Sequence, residues 1–153
     1  MWDAIFGFAN IVALFAWAVL ILLPRKPALL AAVLYTGVGL LCLTYVLLFA
    51  GLLSGLLDPS RDAGAGPGGL AAYTVDGLKD LFRSRGAIVI GWVHYLAFDL
   101  FVGLWIARDA DAKRFSRVVQ APILLATFMA GPLGLFLWLC LRERRARKSG
   151  RWT

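Results

Sequence analysis

Apolar residues dominate the chain in four long runs, each reaching the ~20 residues that a bilayer crossing requires. The first covers about residues 4–23, with Asn10 as its one strongly polar side chain. It is closed by Pro24-Arg25-Lys26-Pro27, where two prolines and two cations predict a tight interfacial turn. The second, about 28–57, exceeds a membrane thickness and is expected to tilt or to emerge at one end. The third covers 86–107 and the fourth 119–141. Asp58 to Gly69, rich in glycine and proline, predicts a loop. Residues 70–85 then alternate Leu70, Tyr73, Leu78, Leu81 and Phe82 with Asp76, Lys79, Asp80, Arg83 and Arg85. That pattern predicts a short amphipathic helix on the membrane surface, serving as a lid or as a plain interfacial re-entry segment.

The pattern predicts one all-α integral membrane domain: a bundle of four transmembrane helices plus the interfacial helix. Composition agrees, because 61% of the 153 residues are hydrophobic and only 16% are charged, leaving little for an extramembranous domain. Asp3 replaces the basic start of a signal peptide and the first run is too long for one, so it is read as a permanent span. The charge of +7 is no nucleic-acid footprint, since six of the 16 basic residues fall in the tail, 142–153. Such a cluster next to a membrane span anchors to anionic membrane lipids. With four spans both termini share a side, which then holds ten Lys and Arg against six opposite. The bias puts both termini in the cytoplasm. Cys42 and Cys140 sit in apolar runs without a metal or redox spacing and are expected to be small core residues. Gly51 and Gly55 form a GxxxG that permits close helix approach, within the chain or in a homo-oligomer.

The chemistry-bearing residues concentrate in the third run. Asp99 is the only charged side chain in any of the four, and His94 is the only histidine. An ionisable group in hydrocarbon costs several kcal/mol and is normally retained for a task, neutral or paired. On an ideal helix the two lie about 140° apart. Asp99 shares its face with Trp92, Tyr95 and Leu96, while His94 shares the other with Phe98, Phe101 and Trp105. Tyr95, one turn before Asp99, is placed to hydrogen-bond it. Other partners must come from Asn10, Tyr35, Thr36, Thr44 or Tyr45. No basic residue is expected at that depth, so Asp99 is expected to be a neutral carboxylic acid, suited to proton donation. The alternative is that both groups hydrogen-bond between helices, worth about 1 kcal/mol each. Pro132 in the fourth run frees a backbone carbonyl and predicts a kink that opens space in the bundle.

One histidine and no buried glutamate cannot build a di-iron or histidine-box centre, and no zinc, phosphate-loop or dinucleotide motif is present. No metal or cofactor is therefore expected. The aromatic surroundings point to a lipophilic small molecule as ligand.

These residues carry a resemblance. Trp92-Val93-His94, Asp99-Leu100-Phe101, Arg108-Asp109 and Gly131-Pro132-Leu133-Gly134 resemble the neoxanthin-synthesis family, whose plant member is named for abscisic acid deficiency. The plant pattern is W-I-H, four residues, D-L-F and a later C-P-x-G, with Gly131 here in the cysteine position. Composition rich in Ala, Leu, Gly and Arg suggests a bacterial branch of unknown function in the cytoplasmic membrane. The resemblance implies a four-span protein that isomerises a carotenoid or other isoprenoid without net oxidation. It implies Asp99 as acid and His94 as base, with Tyr95 or Asn10 orienting the substrate and Trp92, Phe98, Trp105 and Pro132 bordering it. A non-catalytic carotenoid or lipid binder, or an accessory subunit of a membrane complex, is the other reading.

Overall fold

The computed structural model describes residues 1–54, 56–57 and 74–149, leaving out the side chains of Leu53 and of 144–149. The expected loop 58–69, the start of the expected interfacial helix (70–73) and the last tail residues (150–153) lie outside the described residues.

All regular structure among the described residues is helical. Helix α1 (Trp2–Leu22) ends at an extended Leu23, the conformation that a following proline imposes. Pro27 then occupies the first turn of α2 (Pro27–Ala32), where its missing N–H costs nothing. Helix α2 runs through a π-helical segment, Val33–Gly39, into α3 (Leu40–Leu53). The π segment is absent from the sequence expectation. It lies where three elements meet, for a Cβ at Gly37 would come 2.9 Å from Ala16 and 3.0 Å from Leu100.

The expected surface helix shortens to α4 (Val75–Leu81), N-capped by Thr74, whose hydroxyl accepts from the Gly77 N–H at 3.0 Å. Helix α5 (Arg85–Ala112) is the axis of the fold, with α1, the π segment, α3, α6 and α7 packed around it. Val93, Leu100, Leu104 and Ile106 are buried along it, and Gly103 lets the Trp17 ring lie on its backbone. It stops at Arg114, whose φ of 56° is in the left-handed region that ends helices. Cys42 and Cys140 face outward and are not core residues.

The fourth expected span, 119–141, is not one helix. It divides into α6 (Arg117–Met129) and α7 (Gly131–Ser149) about an extended Ala130. The two halves turn back on each other, and Gly134 lies so close to Thr127 that a Cβ would overlap its hydroxyl and backbone nitrogen. Trp138 of α7 donates to Asp109 at 3.1 Å and Arg142 pairs with Asp109 at 2.9 Å, next to the end of α5 where α6 began. Among the described residues three helices are long and apolar enough to cross a membrane, α1, Pro27–Leu52 and α5, while α6 with 13 residues is too short. The α6–α7 pair is a hairpin reaching about halfway along α5.

The termini are correspondingly placed. Asp3 lies 3.7 Å from Arg85 at the start of α5, whereas α7 returns to Asp109 near its end. The sequence expectation places both termini on one side, whereas among the described residues the start of α1 and the second half of α7 lie beside opposite ends of α5. At the α7 end Arg25, its side chain only 5% exposed, ties three segments together. It donates to the Ala107 carbonyl at 3.1 Å, to Asp111 at 2.9 Å and to Gln120. Gln120 in turn donates to Asp111 at 3.0 Å and to the Phe115 carbonyl at 2.8 Å. Removing one partner leaves buried polar groups uncompensated. Arg25→Met is expected to lower stability by about 2 kcal/mol, discounted because Asp111 is partly open to solvent. A fall in the thermal midpoint of the detergent-solubilised protein checks this, and an unchanged midpoint contradicts it.

Candidate functional site

Asp99 stands halfway along α5, about 20 Å from either end at 1.5 Å per residue. Its side is turned to the tip of the hairpin and it is 8% exposed. Breaking a helix there leaves the last carbonyls of α6 and the first N–H groups of α7 without intrahelical partners. At membrane depth no water replaces them, so protein groups must. Asp99 Oδ2 accepts from the Gly131 N–H at 3.2 Å, capping α7 from a neighbouring helix. Tyr95, one turn earlier, donates its hydroxyl to the Met129 carbonyl at 3.2 Å, capping α6. The Tyr95 hydroxyl and the Asp99 carboxyl thus meet the hairpin tip from successive turns of α5.

Gly131 admits the contact, since a Cβ there would overlap the carboxyl. The cysteine of the plant pattern would need a different placement of Asp99.

His94 belongs elsewhere. It is exposed on the outer face of α5, stacked on Phe98 with ring centres 4.6 Å apart and tilted against Tyr45 at 5.4 Å. One turn further along, Phe98 and Phe101 form one wall of an open groove of about 460 Å³. The π segment and α3 form the other wall with Tyr35, Val38 and Cys42. The lining is almost wholly apolar and His94 stands beyond its Phe98 end.

The remaining expected residues divide between the two places. Trp92 donates to Asn10 at 3.1 Å and packs against Phe6 and Tyr95, so these groups join α1 to α5 on the Asp99 side. Pro132 is the second residue of α7, beside the cap. Trp105 is with neither cluster, lying under Arg142 at 5.9 Å near the far end of α5. Among the expected partners only Tyr45 meets an ionisable group, while Thr36 and Thr44 bond carbonyls of their own helix. Tyr35 and Phe101 as groove walls, and Gly131 as the backbone partner of Asp99, lie outside the expected site. No cluster of three metal-ligating side chains occurs among the described residues.

The fold and these polar groups define an all-helical integral membrane protein, built on an axial helix whose buried carboxyl closes a broken hairpin. The chain belongs to the ABA DEFICIENT 4-like family, whose model matches residues 4–138. The resemblance to neoxanthin-synthesis proteins seen in Trp92–His94 and Asp99–Phe101 holds at family level. No curated protein and no solved structure matches the chain significantly.

Two substitutions test the cap. Asp99→Ala removes the acceptor for Gly131 and is expected to destabilise by about 1–3 kcal/mol, whereas Asp99→Asn, which keeps an acceptor oxygen, costs less than half as much. Gly131→Ala is expected to cost about 1–3 kcal/mol through overlap with the carboxyl. Thermal unfolding in one detergent ranks the three, and an Asp99→Ala protein as stable as the parent excludes the cap.

Proposed function

We propose that the chain binds an elongated isoprenoid lipid of the carotenoid class in the groove between the π segment and α5, and isomerises it without net oxidation. The groove carries this reading: it is apolar, walled by Tyr35, Phe98 and Phe101, and bordered by the chain's only histidine. Its size is within the range of small-molecule sites, and π-helical segments recur at functional sites. Family membership supports the carotenoid class, because neoxanthin-type chemistry converts an epoxide into an allenic alcohol of the same formula. A base takes a proton from the vinylic carbon beside the ring, and that C–H electron pair forms a new double bond to the ring carbon as the epoxide C–O bond breaks, so that with the retained neighbouring double bond it makes the allene. The oxygen then receives a proton.

In such a reaction His94 and Asp99 take different tasks. His94 is the acid–base group at the groove, where an imidazole accepts one proton and returns one. Asp99 is a positioning residue that holds the hairpin and thereby the helices around the groove. The alternative of a binder without catalysis is favoured by one observation: the Asp99 carboxyl accepts from the Gly131 N–H on the hairpin side of α5, away from His94.

Expression in a host that accumulates an epoxy-carotenoid separates the readings, with extracted pigment and pigment bound to the purified protein identified by absorbance and mass spectrometry. The wild type is expected to retain a polyene and to accumulate its isomer. His94→Gln is expected to retain the polyene while losing at least about tenfold in isomer formed, and Asp99→Asn to keep most of the activity. Bound pigment with no isomer from the wild type leaves the binder reading, and absence of bound polyene contradicts both.

A further inference from the structure

The return of α7 concentrates positive charge at one end of the helix cluster. At the Met1 end, Lys79, Arg83 and Arg85 are matched by Asp76, Asp80 and Asp3. At the opposite end Arg25 uses Asp111, and Lys113 and Arg142 share Asp109. Lys26, Arg108 and Arg114 are exposed there and make no ion pair among the described residues. Helix α7 then continues to Ser149 through a sequence that adds Arg144, Arg145, Arg147 and Lys148. Directly beside these cations the helices expose bare hydrocarbon, with Leu22 75% and Val118 84% exposed. A band of apolar side chains capped by unpaired cations matches the boundary between acyl chains and phosphate headgroups.

We propose that this end is a docking surface for the headgroups of anionic phospholipids, and that it holds the chain with its C-terminal end on the anionic cytoplasmic leaflet and Met1 across the membrane. The charge rule supports the same orientation more strongly than a four-span reading does. With the hairpin, eleven of the 16 Lys and Arg belong to segments at the α7 end, because α7 through Lys148 joins the six loop cations in place of opposing them. The surface does not depend on what occupies the groove.

Topology is read with Cys42→Ser and Cys140→Ser together, adding one cysteine at a time as Asp3→Cys, Ala112→Cys or a residue appended after Thr153. A membrane-impermeant maleimide applied to intact cells and to inverted vesicles is expected to place the appended cysteine with position 112 and opposite position 3. Labelling of the appended cysteine together with position 3 overturns the proposal. Lipid preference is read by native mass spectrometry after release from nanodiscs of mixed phosphatidylglycerol and phosphatidylcholine. The wild type is expected to retain phosphatidylglycerol. Lys26→Gln, Arg108→Gln and Arg114→Gln combined are expected to retain roughly fivefold less of it, or lower still. Equal retention of the two lipids by the wild type, or an unchanged preference in the triple variant, overturns the headgroup assignment.

Discussion

The hydrogen bond from the Gly131 N–H to Asp99 joins the middle of the axial helix to the only break in the chain's last apolar run. A helix interrupted at membrane depth is unstable unless its freed groups find partners in the protein. Tyr95 and Asp99 supply a donor and an acceptor one turn apart on a rigid helix, matching the spacing between the end of α6 and the start of α7. The positive end of the α7 dipole adds to the preference for an oxygen at that point. Much else in the structure follows from it. Because the break is tolerated, α7 turns back; because α7 turns back, Trp138 and Arg142 reach Asp109.

This arrangement also explains why one ionisable residue in a long apolar segment need not be the reacting group. Asp99 spends its hydrogen-bonding capacity on the hairpin, and the open surface of α5 that remains belongs to His94, Phe98 and Phe101. The groove beside them is shaped by the π segment, where the glycine at 37 allows α1 and α5 to close in on one side. On the proposed function, structure and chemistry divide between two faces of one helix, with Asp99 maintaining the frame and the imidazole standing beside the groove proposed for the lipid.

The three full-length helices were legible because a run of apolar residues bounded by Pro24–Pro27 or by charged loops leaves little choice in lipid. The separation of His94 from Asp99 was legible too, since it follows from helix geometry alone. The hairpin was not, because hydropathy along 119–141 is the same whether the chain crosses or returns. The local signal was Gly131-Pro132: proline favours the first turn of a helix, so it marks a new start as readily as a kink. Gln120 was a second signal, a polar group inside the expected span, and it is buried against Arg25 and Asp111. The Arg25 network and the groove walls join residues from separate helices, and no local pattern announces such pairs.

Spin-label distances between α5 and α7 measure the central claim, the return of the hairpin, most directly. Labels at Ala112 and Leu139 are expected within about 20 Å of each other, and labels at Arg85 and Leu139 at about 35 Å or more, given the roughly 40 Å length of α5. The reverse order, with Leu139 near Arg85 and far from Ala112, would mean that the last apolar run crosses the membrane and that Asp99 caps nothing.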